Sequence, residues 1–136
     1  MIIFGASGDL TKRKLMPALY SLYREKRLTG EFSILGIGRT VYSDDNYRSY
    51  ILEELQQFVK SEEQDTALMA SFVSHLYYLP MDPAKEEGYP QLRQRLVELT
   101  NEVDPDNLLF YLATPPSLYG VVPLYLKAAG LNTPHS

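Results

Sequence analysis

The sequence predicts an α/β fold, a Rossmann-like doubly wound parallel sheet in three layers, α/β/α. Three observations carry it. Short β-like runs alternate with amphipathic helical stretches long enough to serve as crossovers between parallel strands. The first, second and fourth of those runs are almost wholly apolar, as strands covered on both faces are. The 136 residues suit one domain, with no repeat, linker or low-complexity tract to divide them. The expected unit is a single domain, residues 1–136.

Ile2 to Phe4 is an apolar run closed by glycine, and reads as the first strand. Leu15, Leu19 and Leu22 then share one helical stripe with Met16, Tyr20 and Tyr23 beside it. Pro17 lacks an N–H and should kink that helix near its first turn, or split off a short leading turn. Phe32 to Ile37 reads as the second strand, ended by Gly38. Ser43 is placed to cap a helix that buries Tyr47, Ile51, Leu55 and Phe58. Ser61 with Gln64 forms a capping-box pattern ahead of a helix bearing Leu68, Phe72 and Leu76. Tyr77 to Met81 is the third strand, with a turn from Asp82-Pro83. Gly88-Tyr89-Pro90 leads into a helix using Leu92, Leu96, Leu99 and Val103. Leu108 to Ala113 is the fourth strand, and a last helix runs to Gly130, a good residue to follow a helix end.

Composition narrows the function. Hydrophobic residues are 45% and charged residues 22%, the balance of an ordinary globular domain, and the net charge of −4 argues against a nucleic-acid-binding face. There is no cysteine, which removes disulfides, cysteine-zinc sites and thiolate nucleophiles and fits a reducing cytoplasm. The longest apolar run, Leu108 to Ala113, is too short to span a bilayer, and the N-terminus lacks a signal-peptide pattern. A cytoplasmic domain with no membrane or nucleic-acid partner and no metal site is expected. Both ends look cut, with Met1 opening directly into a strand and Ser136 following soon after a helix, so a fragment of a longer protein is expected.

A doubly wound sheet binds ligands beyond the carboxyl ends of its strands, at the switch point between the first and fourth. Three loops there carry distinctive residues. Gly5-Ala6-Ser7-Gly8-Asp9-Leu10 follows the first strand: Gly5 can make the tight turn, Gly8 has no side chain to block a pyrophosphate, and the following N–H groups and helix dipole favour phosphate. Ser7 and Leu10 occupy the second and third glycine positions of the dinucleotide fingerprint, and a plain turn between strand and helix is the other reading of the pattern. There is no P-loop. In Gly36-Ile37-Gly38-Arg39-Thr40 the acid that would accept from a ribose hydroxyl is missing, and Arg39 can instead pair a 2′-phosphate, with Ser7 adding a hydroxyl. A solvated arginine is the alternative. In the third loop, Ala113 to Tyr119, two prolines stiffen the nicotinamide side, and Tyr119 could pack on a cofactor or equally be a core tyrosine. Lys12, Arg13 and Lys14 oppose the helix dipole, which a nearby phosphate would explain, as would a solvated face. His75 and His135 are given no chemistry, and no carboxylate pair or Ser/His/Asp set stands out.

Gly5 to Pro17 closely resembles the opening of glucose-6-phosphate dehydrogenases, Gly36-Ile37-Gly38-Arg39 their 2′-phosphate segment, and Phe110 to Tyr119 their third landmark. The resemblance implies that Gly5, Ala6, Ser7, Gly8, Asp9, Leu10 and Lys12 line the coenzyme phosphates, that Arg39 grips the 2′-phosphate, that Tyr119 lies at the cofactor and that Asp82 sits near the adenine end. Thr11 stands where many members have alanine. The cofactor implied is NADP, and the intact parent would oxidise glucose 6-phosphate to 6-phosphogluconolactone in the pentose phosphate pathway. That parent is expected to be a homo-oligomer. The family's substrate lysine, in a Glu-Lys-Pro segment, and its catalytic histidine would both follow Ser136. No catalytic residue is therefore expected in this chain, which should bind NADP without turnover.

Two other readings compete. A short-chain NADP reductase needs a TyrxxxLys pair, but Pro123 stands at that offset both after Tyr119 and before Lys127. A non-catalytic NADP-sensing module of the same fold stays open.

Overall fold

A computed structural model describes residues 1–28, 32–100, 110–114 and 116–131 of the chain. The first strand, β1 (Ile2–Phe4), is buried throughout. After a turn at Gly5, the chain enters a π-helical turn, Thr11–Leu15, that continues as α1 (Met16–Arg24). Pro17 does split off a leading turn, and its chemistry accounts for the form. A proline at the second position of α1 has no N–H to return to a carbonyl, and just before it the Met16 amide reaches back five residues to Thr11 O.

The chain continues through β2 (Ile34–Gly38), α2 (Asp44–Phe58), a 3₁₀ turn at Ser61–Glu63, α3 (Thr66–Val73) and β3 (Leu76–Pro80). A 3₁₀ turn at Glu86–Gly88 leads into α4 (Tyr89–Thr100), followed by β4 (Phe110–Leu112), another 3₁₀ turn at Pro116–Leu118, and α5 (Val121–Ala128). Ser43 caps α2 as expected, its Oγ accepting from the Asn46 amide at 3.1 Å. Gly130, just past α5, takes φ +75°, the left-handed turn that favours glycine there.

Several boundaries differ. The Ser61/Gln64 capping box does not form. Asp65 caps α3 by accepting from the Leu68 amide, while the Gln64 side chain donates back to the Gln56 and Val59 carbonyls. Leu76 leaves the helix and opens β3, ahead of the expected start at Tyr77. Phe32 precedes β2 and stacks on His75 instead, with ring centroids 4.1 Å apart. The expectations for Val103, Leu108, Leu109 and His135 fall outside the described residues.

The strands form one parallel sheet in the order β3-β2-β1-β4. The chain winds outward from β1 to β2 and β3, then returns to the far side of β1. Outward and returning crossovers of one hand must cover opposite faces. The side chains obey this. Ile3, Ile34, Leu76 and Tyr78 pack with Met16, Tyr20, Tyr47, Ile51, Leu55 and Phe72, from α1, α2 and α3. Ile2, Phe4, Leu35 and Ile37 pack with Tyr89, Leu92, Leu96, Val122 and Leu126, from α4 and α5. The three layers predicted by the sequence are present.

Helix side chains also close the outer edge of β3. The Arg48 Nε–H donates to Leu76 O at 2.7 Å, and the Tyr78 amide donates to Asp44 Oδ1 at 2.8 Å. Arg95 pairs with the same Asp44, and the Arg48 and Arg95 guanidinium groups lie 4.8 and 5.8 Å from the Tyr77 ring centroid. An edge strand whose polar groups are already engaged is a poor template for another strand.

Burial raises the phenol pKa of Tyr47, Tyr78 and Tyr89, and takes that of Tyr50 to about 12. The folded chain thus holds these protons more tightly than the unfolded chain does. Their contribution is complete below the unfolded tyrosine value near 10 and lost as pH rises through the folded values. We expect urea midpoints to be flat with respect to tyrosine ionisation up to about pH 9.5 and to fall steeply between about pH 10 and 12. Unchanged midpoints across that upper range would contradict the burial of this group.

Candidate functional site

A parallel sheet delivers all its strand exits to one edge. The turns after β1, β2 and β3 and the segment after β4 line a single cleft of about 810 Å³, walled by Gly5, Ser7 and Gly8, by Gly38 to Thr40, by Asp82 to Ala84, and by Ala113, Thr114, Ser117 and Leu118. That volume suits a cofactor-sized ligand.

The glycine turn is held by its own backbone. Gly5 has φ +88°, and a Cβ built on it would lie 2.3 Å from Ala113 O. The Gly5 and Ala6 amides both donate to Ile37 O, at 2.8 and 2.9 Å, and the Gly8 amide donates to Gly5 O at 3.0 Å. The buried Thr11 hydroxyl donates to the same Gly5 carbonyl at 2.8 Å. Three amides of the turn are therefore committed inside the protein. Those of Ser7, Asp9 and Leu10 make no backbone hydrogen bond among the described residues. They stand at the head of a helical segment, where unpaired N–H groups and the helix dipole favour an anion.

Arg39 lies on the neighbouring turn, exposed, with no ion pair or hydrogen bond among the described residues. By contrast Arg13, Arg48 and Arg95 all have carboxylate partners. Asp82 borders the cleft after β3, its Oδ1 accepting from the Ala84 amide at 2.9 Å. On the β4 side, the Thr114 Oγ1 is buried without a hydrogen-bond partner among the described residues. Buried hydroxyls are rarely left that way, so a polar ligand atom is the natural complement.

Of the residues singled out by sequence, Gly5, Ser7, Gly8, Arg39 and Asp82 meet in the cleft wall. Ala6 stands behind it, fully buried, its Cβ filling the space over Gly36. Asp9 and Leu10 are exposed at the helix head. Lys12 is turned elsewhere, its ammonium 3.6 Å from Asp9 and 4.0 Å from Glu54. Asp9 also pairs Arg13, so an internal carboxylate accounts for two cations near a helix start without any phosphate. Tyr119 is exposed on the turn before α5 and does not line the cleft. Sequence reasoning assigned no site role to Gly38, Thr40, Pro83, Ala84, Ala113, Thr114, Ser117 and Leu118. The strand-tip rule pointed at their loops but could not say which residues face inward.

The geometry can be set against known proteins. A family model described as "Glucose-6-phosphate dehydrogenase, NAD binding domain" matches residues 2–136. Glucose-6-phosphate 1-dehydrogenase of Aggregatibacter actinomycetemcomitans is 46% identical over 133 residues, and that of Treponema pallidum (strain Nichols) 35% identical over 133 residues. Both alignments cover 97% of this chain, which spans 26% of the length of each relative. A crystal structure of glucose-6-phosphate 1-dehydrogenase from Mycobacterium avium superposes with a TM-score of 0.80 at 28% identity, covering 96% of this chain and 26% of that one. A structure of glucose-6-phosphate dehydrogenase in complex with its substrate glucose-6-phosphate gives 0.79 at 36% identity, covering 98% of this chain and 27% of that one.

The tight turn at Gly5 makes a direct prediction. Gly5→Ala introduces both a strained φ and an overlap with backbone, and should cost at least about 3 kcal/mol in urea unfolding. Gly120→Ala, where an added Cβ meets nothing within 4 Å, should cost under about 1 kcal/mol. Equal effects would mean that the turn is not packed as described.

Proposed function

The chain belongs to the glucose-6-phosphate dehydrogenase NAD-binding-domain family, and from that premise we propose that it is the NADP-holding part of an enzyme that oxidises glucose 6-phosphate to 6-phosphogluconolactone, a step of the pentose phosphate pathway. The observation that carries the reading is the guanidinium of Arg39, unpartnered among the described residues, sharing one cleft wall with the glycine turn. The cleft also crosses the strand tips in the order needed by a dinucleotide. The Ser7, Asp9 and Leu10 amides beyond β1 take the pyrophosphate at its centre. Arg39 beyond β2 takes the 2′-phosphate of the adenosine half, with Asp82, Pro83 and Ala84 beyond β3 beside the adenine. Ala113, Thr114, Ser117 and Leu118 beyond β4 border the nicotinamide half, where the Thr114 hydroxyl gains its missing partner.

When bound, the coenzyme supplies the hydride acceptor. This chain's residues bind and orient it. Removing the proton of the sugar C1 hydroxyl requires a positioned base. The only ionisable side chains among the described cleft-lining residues are Arg39 and Asp82, and the proposed pose assigns Asp82 to the adenine end. We therefore assign this chain coenzyme binding without turnover, in a cytoplasmic, homo-oligomeric parent. Among the described residues, no helix is long and apolar enough to cross a membrane.

Calorimetric titration with NADP and NAD tests the assignment. The wild-type chain should prefer NADP. Arg39→Ala should weaken NADP binding by about 10- to 100-fold, the range for one lost charge-assisted contact, and change NAD binding by less than about threefold. Added salt should narrow the wild-type preference. Equal binding of the two coenzymes, with no effect of the alanine change, would remove the 2′-phosphate assignment.

A further inference from the structure

Behind the cleft wall stand four aromatic rings that coenzyme binding does not use. Tyr47 and Tyr78 stack with centroids 4.7 Å apart. Tyr42 packs edge-on against Tyr78 at 5.4 Å and stacks on Tyr50 at 5.3 Å. Packing alone would be satisfied by phenylalanine. The hydroxyls have a more specific placement. That of Tyr47 donates to Ala6 O, in the glycine turn, at 2.9 Å. That of Tyr78 donates to Thr40 O, the carbonyl immediately after Arg39, at 2.5 Å. The Ser7 hydroxyl stands beside the tip of β2, over Gly38.

The three elements converge over Gly38. A Cβ there would lie 2.7 Å from the Tyr78 Oη and 2.8 Å from the Ser7 Oγ. The absent side chain lets a hydroxyl from β3 pass beneath the tip of β2 and reach the turn that carries Arg39. Residues 39 and 40 are exposed, and the described residues give the Arg39 side chain no partner of its own. Its backbone is the part that can be fixed, and the Thr40 carbonyl is the next peptide along.

We infer that Tyr78 is a positioning residue for coenzyme choice: through Thr40 O it fixes the turn that carries Arg39, so that the guanidinium meets the 2′-phosphate without first being ordered. This rests on the 2′-phosphate reading of Arg39. A contact formed by a side chain already held in place loses less conformational freedom on binding. The benefit falls only on a ligand that carries the phosphate, which is why the effect separates from general stability.

The test is the ratio of NAD to NADP dissociation constants for wild type, Tyr78→Phe, Arg39→Ala and the double variant. Tyr78→Phe keeps the stacked ring and removes the hydroxyl, and should weaken NADP binding by about fivefold, the scale of one neutral hydrogen bond, with NAD binding unchanged. In the Arg39→Ala background the same change should leave the ratio where it stands, because its route to the phosphate is gone. Tyr50→Phe removes a hydroxyl with no hydrogen bond to either turn among the described residues, and should move neither constant. A fall in thermal midpoint without a change of ratio would show a purely structural hydroxyl and overturn the inference, as would equal weakening of both coenzymes. If wild type shows no preference that Arg39→Ala abolishes, the 2′-phosphate reading itself has failed. If that preference is present and Tyr78→Phe retains it in full, only the role of Tyr78 is lost.

Discussion

The Ile37 carbonyl accepts two hydrogen bonds, from the Gly5 and Ala6 amides, and the cleft depends on that arrangement. A carbonyl oxygen has two lone-pair directions, and here both are filled by consecutive amides of one turn. This holds the exit of β1 against the tip of β2. It also decides which amides remain. With Gly5 and Ala6 turned inward, and Gly8 closed onto Gly5 O, the amides of Ser7, Asp9 and Leu10 are left for a ligand. Glycine at position 5 is required by both its φ of +88° and the nearness of Ala113 O. The same residue therefore shapes the anion cradle and sets how closely β4 can approach.

The rest of the fold supports this contact from two sides. Above the sheet, the space over Gly36 is filled by the Ala6 Cβ and the Tyr47 ring, so the turn rests on a surface that only glycine at position 36 leaves open. Below, Phe4 and Ile37 pack among residues of α4 and α5, which fixes the two strands that the turn joins. The change of winding direction at β1 then opens the cleft between the β1 and β4 exits. An extended ligand crossing four parallel strand tips meets small residues and amides at the centre, a cation on one side and a hydroxyl-bearing wall on the other.

Much of this was legible in the sequence because local chemistry and global pattern agreed. The apolar runs gave each described strand to within one or two residues, and Ser43 marked the start of α2 through its own side chain. Where a local signal had competition, the reading failed. Ser61 and Gln64 have the spacing of a capping box, but Asp65 is the better cap and the Gln64 amide finds two carbonyls at the end of α2. The Lys12–Arg13–Lys14 run left a phosphate and a solvated face both open, and Asp9 pairs Lys12 and Arg13 within one helical turn. The tyrosines behind the cleft were read as core or left unremarked. Their rings follow the apolar periodicity, and nothing linear links position 78 to position 40. Only the strand register brings Tyr78 opposite Gly36 and so beneath Gly38.

In the proposed coenzyme complex one cradle, formed by the glycine turn and Arg39, holds an adenosine portion bearing two phosphates. Amide and arginine side-chain NMR shifts during titration with adenosine 2′,5′-bisphosphate test it most directly. The largest shifts are expected at the amides of Ser7, Asp9 and Leu10 and at the Arg39 Nε–H, with the Arg39 signal unmoved when adenosine 5′-monophosphate is used instead. Shifts centred on the groove of Glu86, Glu87, Tyr89 and Tyr125, or an Arg39 response indifferent to the 2′-phosphate, would contradict it.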